Sequence, residues 1–370
     1  MISLLIPTIN RPAFIKRLLN YYNDNNFEGS IFIGDSSNHS NLELTRKIIQ
    51  KFDGKINISH NYYPDLNPLQ ASAKLLKQIS SAYVAMVMDD DFLVPRSINN
   101  CIEFLNNNPD YNSATGIGIK IRVSDDQPHG IINSCKNYLR PYEEADSAAE
   151  RYLSFLRKYE DIGFSVHRTK SFRKMLKDSD NSDIILFGSL FTASLSIILG
   201  KSKQLDCLYL VRQIQKKPYR TENERDTYIW LTQTQWRNNL IIFHDDLVRE
   251  LMFQDNIDLE NASKIIMQGF YMYLKYLLEF QIKRFNKTNQ TYGSKLRSVN
   301  YQKSNVLNGL DRSIVTNNRI FRKLKAIYTT TNKQVRDHIS LNSILSPSSP
   351  YYNDFSSIYQ SVVGDLDKNS

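Results

Sequence analysis

The first 123 residues alternate short apolar runs with segments of helical spacing, and this alternation constrains the fold more than any other feature of the sequence. Each run has the length of a strand and ends in polar residues. We predict strands at 2–6, 30–34, 56–60 and 83–88, and helices at 14–22, 42–52, 69–79 and 96–106. Strands that alternate with helices of this length form a parallel sheet through right-handed crossovers. The sequence therefore predicts an α/β protein with a mostly parallel sheet and helices on both faces.

A further strand at 114–123 follows these elements, and beyond it the pattern is less regular. We predict a loop-like segment at 124–142, strands at 163–168, 205–212 and 240–243, and helices at 148–157, 184–199 and 228–237. From this pattern we assign one α/β domain to 1–246, with halves 1–123 and 124–246. The remainder is divided into a helical, basic carboxyl-terminal region at 247–345 and a loosely ordered tail at 346–370, where Ser, Pro, Tyr and Asn predominate.

Three consecutive aspartates, Asp89, Asp90 and Asp91, end the apolar run at 83–88. In open α/β sheets, ligands bind in the crevice beyond the carboxyl ends of the strands, so these side chains are expected to face a ligand. Adjacent carboxylates repel one another unless a cation neutralises them, and hard oxygen ligands suit Mg²⁺ or Mn²⁺. The sequence thus predicts a divalent-metal site. The alternative is a solvated loop with an acidic cap on the helix that begins near Ser97.

The composition is typical of a globular protein in a reducing compartment. With 370 residues, 41% of them hydrophobic, the chain can bury a proper core. Its three cysteines, Cys101, Cys135 and Cys207, are far apart, which argues against a disulfide framework or a zinc site. The apolar start at 2–6 has no preceding basic region and no cleavage site, so we predict a strand and a cytoplasmic protein. The uncharged run at 184–200 contains several Gly, Ser and Thr residues, which favours a buried helix over a membrane span.

The formal net charge of +9 points to an anionic partner without selecting one. Lysines and arginines concentrate at 283–336, where aromatic residues are interleaved with them. One interpretation is that this segment contacts the anionic inner face of a membrane peripherally, or binds a polyanionic acceptor. The other, which is the more frequent case, is an ordinary helical appendage with a solvated face. No nucleic-acid partner is expected.

Polar motifs at three strand ends carry a resemblance to a known family. A turn of the form Ile-Pro-Thr-x-x-Arg occupies residues 6–11, an Asp-Ser-Ser motif occupies 35–37, and Asp-Asp-Asp-Phe occupies 89–92. In order and spacing these motifs resemble the nucleotide-sugar half of family-2-type glycosyltransferases with the GT-A fold. They are similar to a bacterial subgroup with a DDDF-type metal motif. The resemblance covers roughly residues 1–215 and implies a Rossmann-like GT-A sheet.

The resemblance also implies which residues bind the donor and the metal. The implied donor-binding residues are Thr8, Asn10, Arg11, Asp35, Lys74, Asp89 and Asp90, and the implied ligands of Mn²⁺ or Mg²⁺ are Asp91, directly, and Asp89. Asp35 takes the place of the acidic residue that binds the base, since a carboxylate accepts an imide or amino N–H directionally. Lys74 is placed to suit the diphosphate. Taken singly, Asp35 also fits a turn cap, and Lys74 also fits a surface lysine.

Inverting members of the family need a carboxylate base that takes the proton of the acceptor hydroxyl. In the family this acid begins a helix that is followed by a glycine and a strand. The stretch 183–212 has that layout, so the resemblance implies Asp183 as the base, with an ordinary helix cap as an equal alternative. The family's usual acidic pair is absent here. Nearby acids compete for the role, namely Asp178, Asp180, Glu222, Glu224 and Asp226.

His244 follows the last predicted strand and precedes two aspartates. A late histidine completes the metal shell in some GT-A enzymes. A structural histidine with satisfied hydrogen bonds is the favoured interpretation of His244.

Together these features predict a metal-dependent, inverting glycosyltransferase. It would move a sugar from a UDP, GDP or dTDP donor to a hydroxyl of a glycan, a lipid-linked saccharide or another surface-polysaccharide precursor, and the loop at 124–142 would close over the donor to exclude water. A nucleotidyltransferase is the enzymatic alternative, although residues 7–12 lack the glycines of its phosphate loop. A non-catalytic module that binds a polyanion is the alternative from another class. The sequence leaves open the sugar, the base, the acceptor and the number of subunits.

Overall fold

The computed structural model describes residues 1–138, 142–177, 185–215, 231–232, 234, 236–296 and 340–364, with the backbone alone at 185–188 and 283–296. Its first half consists of β1 (Ile2–Thr8), α1 (Pro12–Asp24), β2 (Ser30–Asp35), α2 (His39–Ile49), β3 (Asn57–Tyr62), α3 (Pro68–Leu76), β4 (Tyr83–Met86), β5 (Phe92–Leu93) and α4 (Pro95–Asn107). The predicted alternation is confirmed here. Local signals mark the helix starts: proline opens α1, α3 and α4, and Asn67 and Gln70 form a capping box on α3.

The second half mixes long strands with helices. It consists of β6 (Tyr111–Val123), β7 (Ile132–Tyr138), α5 (Ala148–Arg157), β8 (Val166–Arg168), α6 (Thr169–Met175), α7 (Ile185–Leu199), β9 (Lys201–Gln213), α8 (Trp236–Asp255), α9 (Leu259–Leu296), α10 (Leu341–Ile344) and α11 (Tyr352–Val363). The predicted helices at 148–157 and 184–199 are confirmed as α5 and α7. The predicted strand at 205–212 is the distal part of β9.

The nine strands of the described chain form one sheet. Their order is β3-β2-β1-β4-β8-β6-β9-β5, and β7 pairs with β6. The ladders β1–β2, β1–β4, β2–β3 and the long β6–β9 are parallel, whereas the short ladders of β8 and β5, and that of β7, are antiparallel. Helices pack around this sheet, so the prediction of a mostly parallel α/β fold with a helical carboxyl-terminal region is confirmed.

β1 is an interior strand of the sheet and is buried along its whole length, as is β4 beside it. The chain runs from β1 outward to β2 and β3, then returns to the other side of β1 as β4. In open α/β sheets such a reversal of strand order leaves a crevice beyond the carboxyl ends of the strands, here those of β1 and β4, and ligands bind there. The close fit of α3 against β2 is visible at Gly34, where a Cβ atom would lie 3.2 Å from the side chains of Ala71 and Leu75.

Two secondary-structure predictions are wrong. Residues 132–138 of the predicted loop form β7, because antiparallel pairing with β6 satisfies their backbone groups and buries Ile132, Cys135 and Tyr138 despite the polar composition. The apolar run at 240–243 lies inside α8 and is not a strand. Phe243 is buried there, with its ring centroid 5.6 Å from that of Phe270 in α9. Packing between these two helices decides the conformation.

The prediction of a loosely ordered tail is also wrong for residues 352–363, which form α11. Phe355, Ile358 and Val362 are fully buried in the core, and α11 packs against α1 and β9. The domain boundary predicted at residue 246 falls within α8, which packs against α7. Among the helices that the structure describes, none combines the length and the apolar character that crossing a membrane requires.

Candidate active site beyond the parallel strands

The acidic triple lies in the turn between β4 and β5, beside the ends of β1 and α1. Asp89 is buried, and both of its oxygens accept hydrogen bonds: Oδ2 from the hydroxyl of Thr8 at 2.7 Å, and Oδ1 from Nη1 of Arg11 at 2.6 Å. Burial and the neighbouring charge of Asp90 raise the pKa of Asp89 to about 6, although Arg11 and Thr8 oppose the shift. The structure thus brings together three residues that the resemblance implied.

Asp90 is the most exposed member of the triple, at 8%, against 4% for Asp89 and 0% for Asp91. Its Oδ2 accepts from Nη1 of Arg11 and from Nε2 of Gln215, each at 3.0 Å. Its Oδ1 accepts no hydrogen bond from the part of the chain that the structure describes. Asp90 therefore offers one carboxylate oxygen at the edge of the crevice.

Asp91 faces the opposite way, toward the end of β9. Its Oδ1 accepts the backbone N–H of Gln213 at 3.1 Å, and its Oδ2 accepts from Nε of Arg212 at 2.9 Å. Burial raises the pKa of Asp91 to about 7, and the charge of Arg212 limits the rise. Burial alone would lower the pKa of Arg212, but the charge of Asp91 outweighs it and raises that pKa. The two side chains form a buried ion pair.

Aromatic rings hold the guanidinium group of Arg212. Its central carbon lies 4.5 Å from the ring centroid of Phe164 and 5.4 Å from that of Tyr138, whose hydroxyl accepts from Nη1 at 3.3 Å. The side chain remains 27% exposed. Arg212 can therefore pair with Asp91 and still present a cationic edge to the crevice.

A second polar cluster lies at the ends of β2 and β3. Asp35 is fully buried, and its carboxylate accepts from the backbone N–H of Ser37 at 2.9 Å and pairs with Nε2 of His60 at 3.1 Å. Burial alone would raise the pKa of Asp35, but the hydrogen bonds from His60 and Ser37 outweigh it and lower that pKa. Asn10 adopts a left-handed φ of 56°, and its N–H donates to the hydroxyl of Ser37 at 2.7 Å, which connects this cluster to the turn after β1.

Of the remaining predicted residues, the structure describes Lys74 and His244. Lys74 lies exposed in the last turn of α3. Asp183 lies outside the described residues, as do the competing acids at 178, 180, 222, 224 and 226. His244 lies in α8, with Nδ1 at 2.8 Å from Asp245 and Nε2 at 2.8 Å from the hydroxyl of Ser263. Both ring nitrogens thus have partners, as expected for a structural histidine.

Sequence reasoning missed four polar residues that surround the triple, namely Arg17, Arg212, Gln213 and Gln215. A signal existed for the last three, because Arg-Gln-x-Gln at 212–215 ends a predicted strand as the other polar motifs do. For Arg17 no signal existed, since a lone arginine in an amphipathic helix usually lies on its solvent side.

The donor set suits a divalent ion that is shared with a ligand. Within the described ranges, no three His, Cys, Asp or Glu side chains form a group that could hold an ion by themselves. Mg²⁺ keeps several waters and commonly takes one or two carboxylates together with substrate phosphates. Asp90 fits that role through its unengaged oxygen. Asp91 does not fit it in this arrangement, because both of its oxygens are engaged and the side chain is fully buried.

Fold and site together define a Rossmann-like α/β protein with a buried acid–arginine cluster at the switch point of its parallel strands. No family model matches the chain, and no curated protein matches it in sequence. Solved structures similar to it include S. aureus TarS 1-349 in complex with UDP-GlcNAc, at 15% identity and a TM-score of 0.49 over 74% of this chain and 73% of that one. They also include the mannosyltransferase PcManGT from Pyrobaculum calidifontis in complex with GDP-Man and Mn²⁺, at 11% identity and a TM-score of 0.43 over 100% and 86%. Likeness at this level does not assign an activity.

Proposed function

We propose that the protein is a metal-dependent glycosyltransferase that moves a sugar from a nucleoside diphosphate sugar to a hydroxyl of a glycan or surface-polysaccharide precursor. The observation that carries the proposal is the placement of the acidic triple, with Thr8 and Arg11 bound to it, at the β1/β4 switch point. The motif resemblance at residues 6–11, 35–37 and 89–92 supports the same function. The hexosyltransferase class and the bacterial DDDF subgroup are part of this proposal.

Within this proposal, Asp90 takes over the direct metal contact that the sequence assigned to Asp91. Its unengaged oxygen points to this role, while Asp91 holds Arg212 in place. A Mn²⁺ or Mg²⁺ ion at Asp90 would stabilise the negative charge that develops on the leaving nucleoside diphosphate. Arg11, at 30% side-chain exposure, and Arg212 supply further positive charge beside the diphosphate.

The donor base is assigned to the cluster of Asp35, Asn10 and Ser37, and Lys74 to the diphosphate side. Uracil and thymine carry an imide N–H, and guanine carries an amide-type ring N–H and an amino group, all of which a carboxylate can accept. Because both oxygens of Asp35 already accept from Ser37 or His60, the base N–H would use a second lone pair of one of them. Asp183 would take the proton of the acceptor hydroxyl while the oxygen of that hydroxyl forms a bond to the anomeric carbon. The bond from that carbon to the phosphate oxygen breaks on the opposite face, so the configuration inverts and the nucleoside diphosphate leaves.

Calorimetric titration of UDP, GDP and dTDP with and without Mn²⁺ tests the donor site. We expect Mn²⁺ to strengthen the binding of one nucleotide, and Asp90→Asn to remove that gain. Asp91→Asn, the matched amide variant, should lower stability but keep the gain. If Asp91→Asn removes the gain and Asp90→Asn keeps it, the metal assignment returns to Asp91. A wild-type protein that binds no nucleotide refutes the donor site and favours the polyanion-binding alternative.

The reaction itself separates the two enzyme classes. A glycosyltransferase releases a nucleoside diphosphate from the matching nucleotide sugar when an acceptor is present. A nucleotidyltransferase releases pyrophosphate from a nucleoside triphosphate and a sugar phosphate. Detection of pyrophosphate alone would replace the proposed function with the second one.

We also propose that the protein acts in the cytoplasm, with peripheral contact to an anionic membrane surface through its carboxyl-terminal region. Residues 283–336 contain thirteen lysines and arginines and a single acid, Asp311. Basic segments bind anionic lipids with about 1 kcal/mol per basic residue near the surface. Cosedimentation with vesicles should therefore require phosphatidylserine and weaken with salt. Equal recovery with neutral vesicles, or none with either, would favour a solvated helical appendage.

A further inference from the structure

Arg17 is a buried arginine of α1 directly behind the acidic triple. It is 1% exposed, and its guanidinium carbon lies 4.7 Å from the ring centroid of Phe92 and 5.0 Å from that of Phe14. An arginine almost never lies this deep without a partner. No carboxylate oxygen hydrogen-bonds to it in the described chain, so its position needs an explanation other than an ordinary salt bridge.

Among the residues that the structure describes, the acceptors of Arg17 are neutral oxygens from three separate segments. Nη2 donates to the backbone carbonyl of Asp90 at 2.9 Å. Nη1 donates to the side-chain oxygen of Gln213 at 2.7 Å and to the backbone carbonyl of Pro128. The planar fork thus joins the turn of the triple, the end of β9 and the turn before β7.

Gln213 extends this connection to Asp91. Its backbone N–H donates to Asp91, and its side-chain Nε2 donates to the carbonyl of Gln127 at 2.9 Å. Because Arg17 occupies the amide oxygen, the amide group has one orientation in which all of its partners are satisfied. Arg17 therefore fixes the main chain of Asp90 and, through Gln213, the backbone group that holds Asp91.

We propose that Arg17 is a positioning residue for the metal and diphosphate, one that aims the carboxylate of Asp90 into the crevice without touching either ligand. The inference rests on the proposed function, because it concerns the same donor site. Groups that orient a metal ligand typically change metal affinity by about tenfold to a hundredfold when they are mutated. The charge of Arg17 acts in the other direction, since a cation behind the triple repels a second cation.

The test is Arg17→Lys, which keeps the positive charge but cannot reach three acceptors at once. Its matched control is Arg151→Lys. Arg151 is also a buried arginine, 4% exposed, and it donates only to backbone carbonyls, those of Ile197, Ile198, Ala145 and Asp146, away from the triple. Both variants lose a buried guanidinium group with several hydrogen bonds, so both should lose stability to a similar degree.

The readout is Mn²⁺ affinity in the presence of the nucleotide that binds wild type, measured from the free Mn²⁺ signal in electron paramagnetic resonance. We expect Arg17→Lys to weaken Mn²⁺ binding by about tenfold or more, and Arg151→Lys to leave it within twofold. Unchanged affinity in Arg17→Lys would mean that Arg17 acts on stability alone and would overturn the proposal. Failure of wild type to bind Mn²⁺ with any nucleotide would overturn the proposed function as well.

If Arg17→Lys does not fold, Gln213→Leu gives the same decision. It leaves the arginine in place but removes the side-chain acceptor of Nη1, so the guanidinium group that holds the carbonyl of Asp90 is no longer fixed in one orientation. We expect a loss of Mn²⁺ affinity of severalfold in the folded variant, and an affinity equal to that of wild type would refute the positioning role.

Discussion

Replacement of Arg212 by methionine should make the stability of the protein strongly dependent on pH above neutrality. The variant leaves Asp91 fully buried without its cation, while the methionine retains much of the apolar stem between Phe164 and Tyr138. In wild type the pKa of Asp91 is about 7, against an ordinary value of 3.8. The folded protein therefore binds a proton between about pH 4 and 7 that the unfolded chain has released, and its free energy of unfolding falls as the pH rises through that window.

The decrease in unfolding free energy caused by Arg212→Met has two parts. Below pH 6 the carboxyl group of Asp91 is protonated in both folded proteins, so the variant loses only a buried hydrogen-bond donor, about 1–3 kcal/mol. Above pH 7 folded wild type releases that proton, whereas the unpaired Asp91 of the variant keeps it. The difference in unfolding free energy then grows by about 1.4 kcal/mol per pH unit. By pH 8.5 the total reaches about 3–5 kcal/mol, the range for a buried ion pair that has lost one partner.

Urea unfolding at pH 5.5, 7.0 and 8.5 measures this difference directly. The same Arg212 substitution in an Asp91→Asn background is the control, and there the cost should not depend on pH. A constant cost between pH 7.0 and 8.5 in the single variant would refute the reasoning. So would an equal slope in the Asp91→Asn background, because the slope would then come from a group other than Asp91.

Three further outcomes test other parts of the structure. Phe355→Ala should cost about 3–5 kcal/mol in urea unfolding, because the ring is fully buried under α11, whereas a loosely ordered tail would make the change neutral. Asn67→Ala should cost about 1 kcal/mol through loss of the α3 capping box, and Asn67→Asp should recover most of it. His60→Ala should weaken nucleotide binding, lower stability near neutral pH and make the loss of stability below pH 4 shallower, because the lowered pKa of Asp35 depends on His60, and an unchanged acid slope would contradict this role.

The parallel half of the fold was predictable because its signals are local. β1, β2 and β4 contain apolar runs that are followed by polar residues, and proline or an asparagine cap begins the helices between the strands. The position of Asp89, Asp90 and Asp91 at the carboxyl end of a strand was predictable because they directly follow the apolar run at 83–88. The conformations of residues 132–138, 240–243 and 352–363 did not, because pairing or packing with segments far away in the chain fixes each of them.

The contacts of the acidic triple were unpredictable for the same reason. Asp91 pairs with a residue 121 positions away, and Arg17 contacts a glutamine 196 positions away. Composition shows that three adjacent carboxylates need positive charge nearby, but not whether a metal ion or arginines supply it. The resemblance implied an ion at Asp91, and the structure adds that Arg212 pairs with this carboxylate.

Three guanidinium groups surround the three carboxylates, and this arrangement links the site to the closure of the fold. Arg11 and Arg17 come from the start of α1, and Arg212 comes from the end of β9. Every one of them contacts the β4–β5 turn, so the charge that the triple requires is supplied only when α1 and β9 are both docked on that turn. Three buried carboxylates without these partners would cost several kcal/mol each. The electrostatics of the candidate site therefore favour the same arrangement of strands that brings the triple to the carboxyl ends of β1 and β4. Within the described chain, five of the six carboxylate oxygens of the triple accept hydrogen bonds, which leaves Oδ1 of Asp90 for the proposed ion.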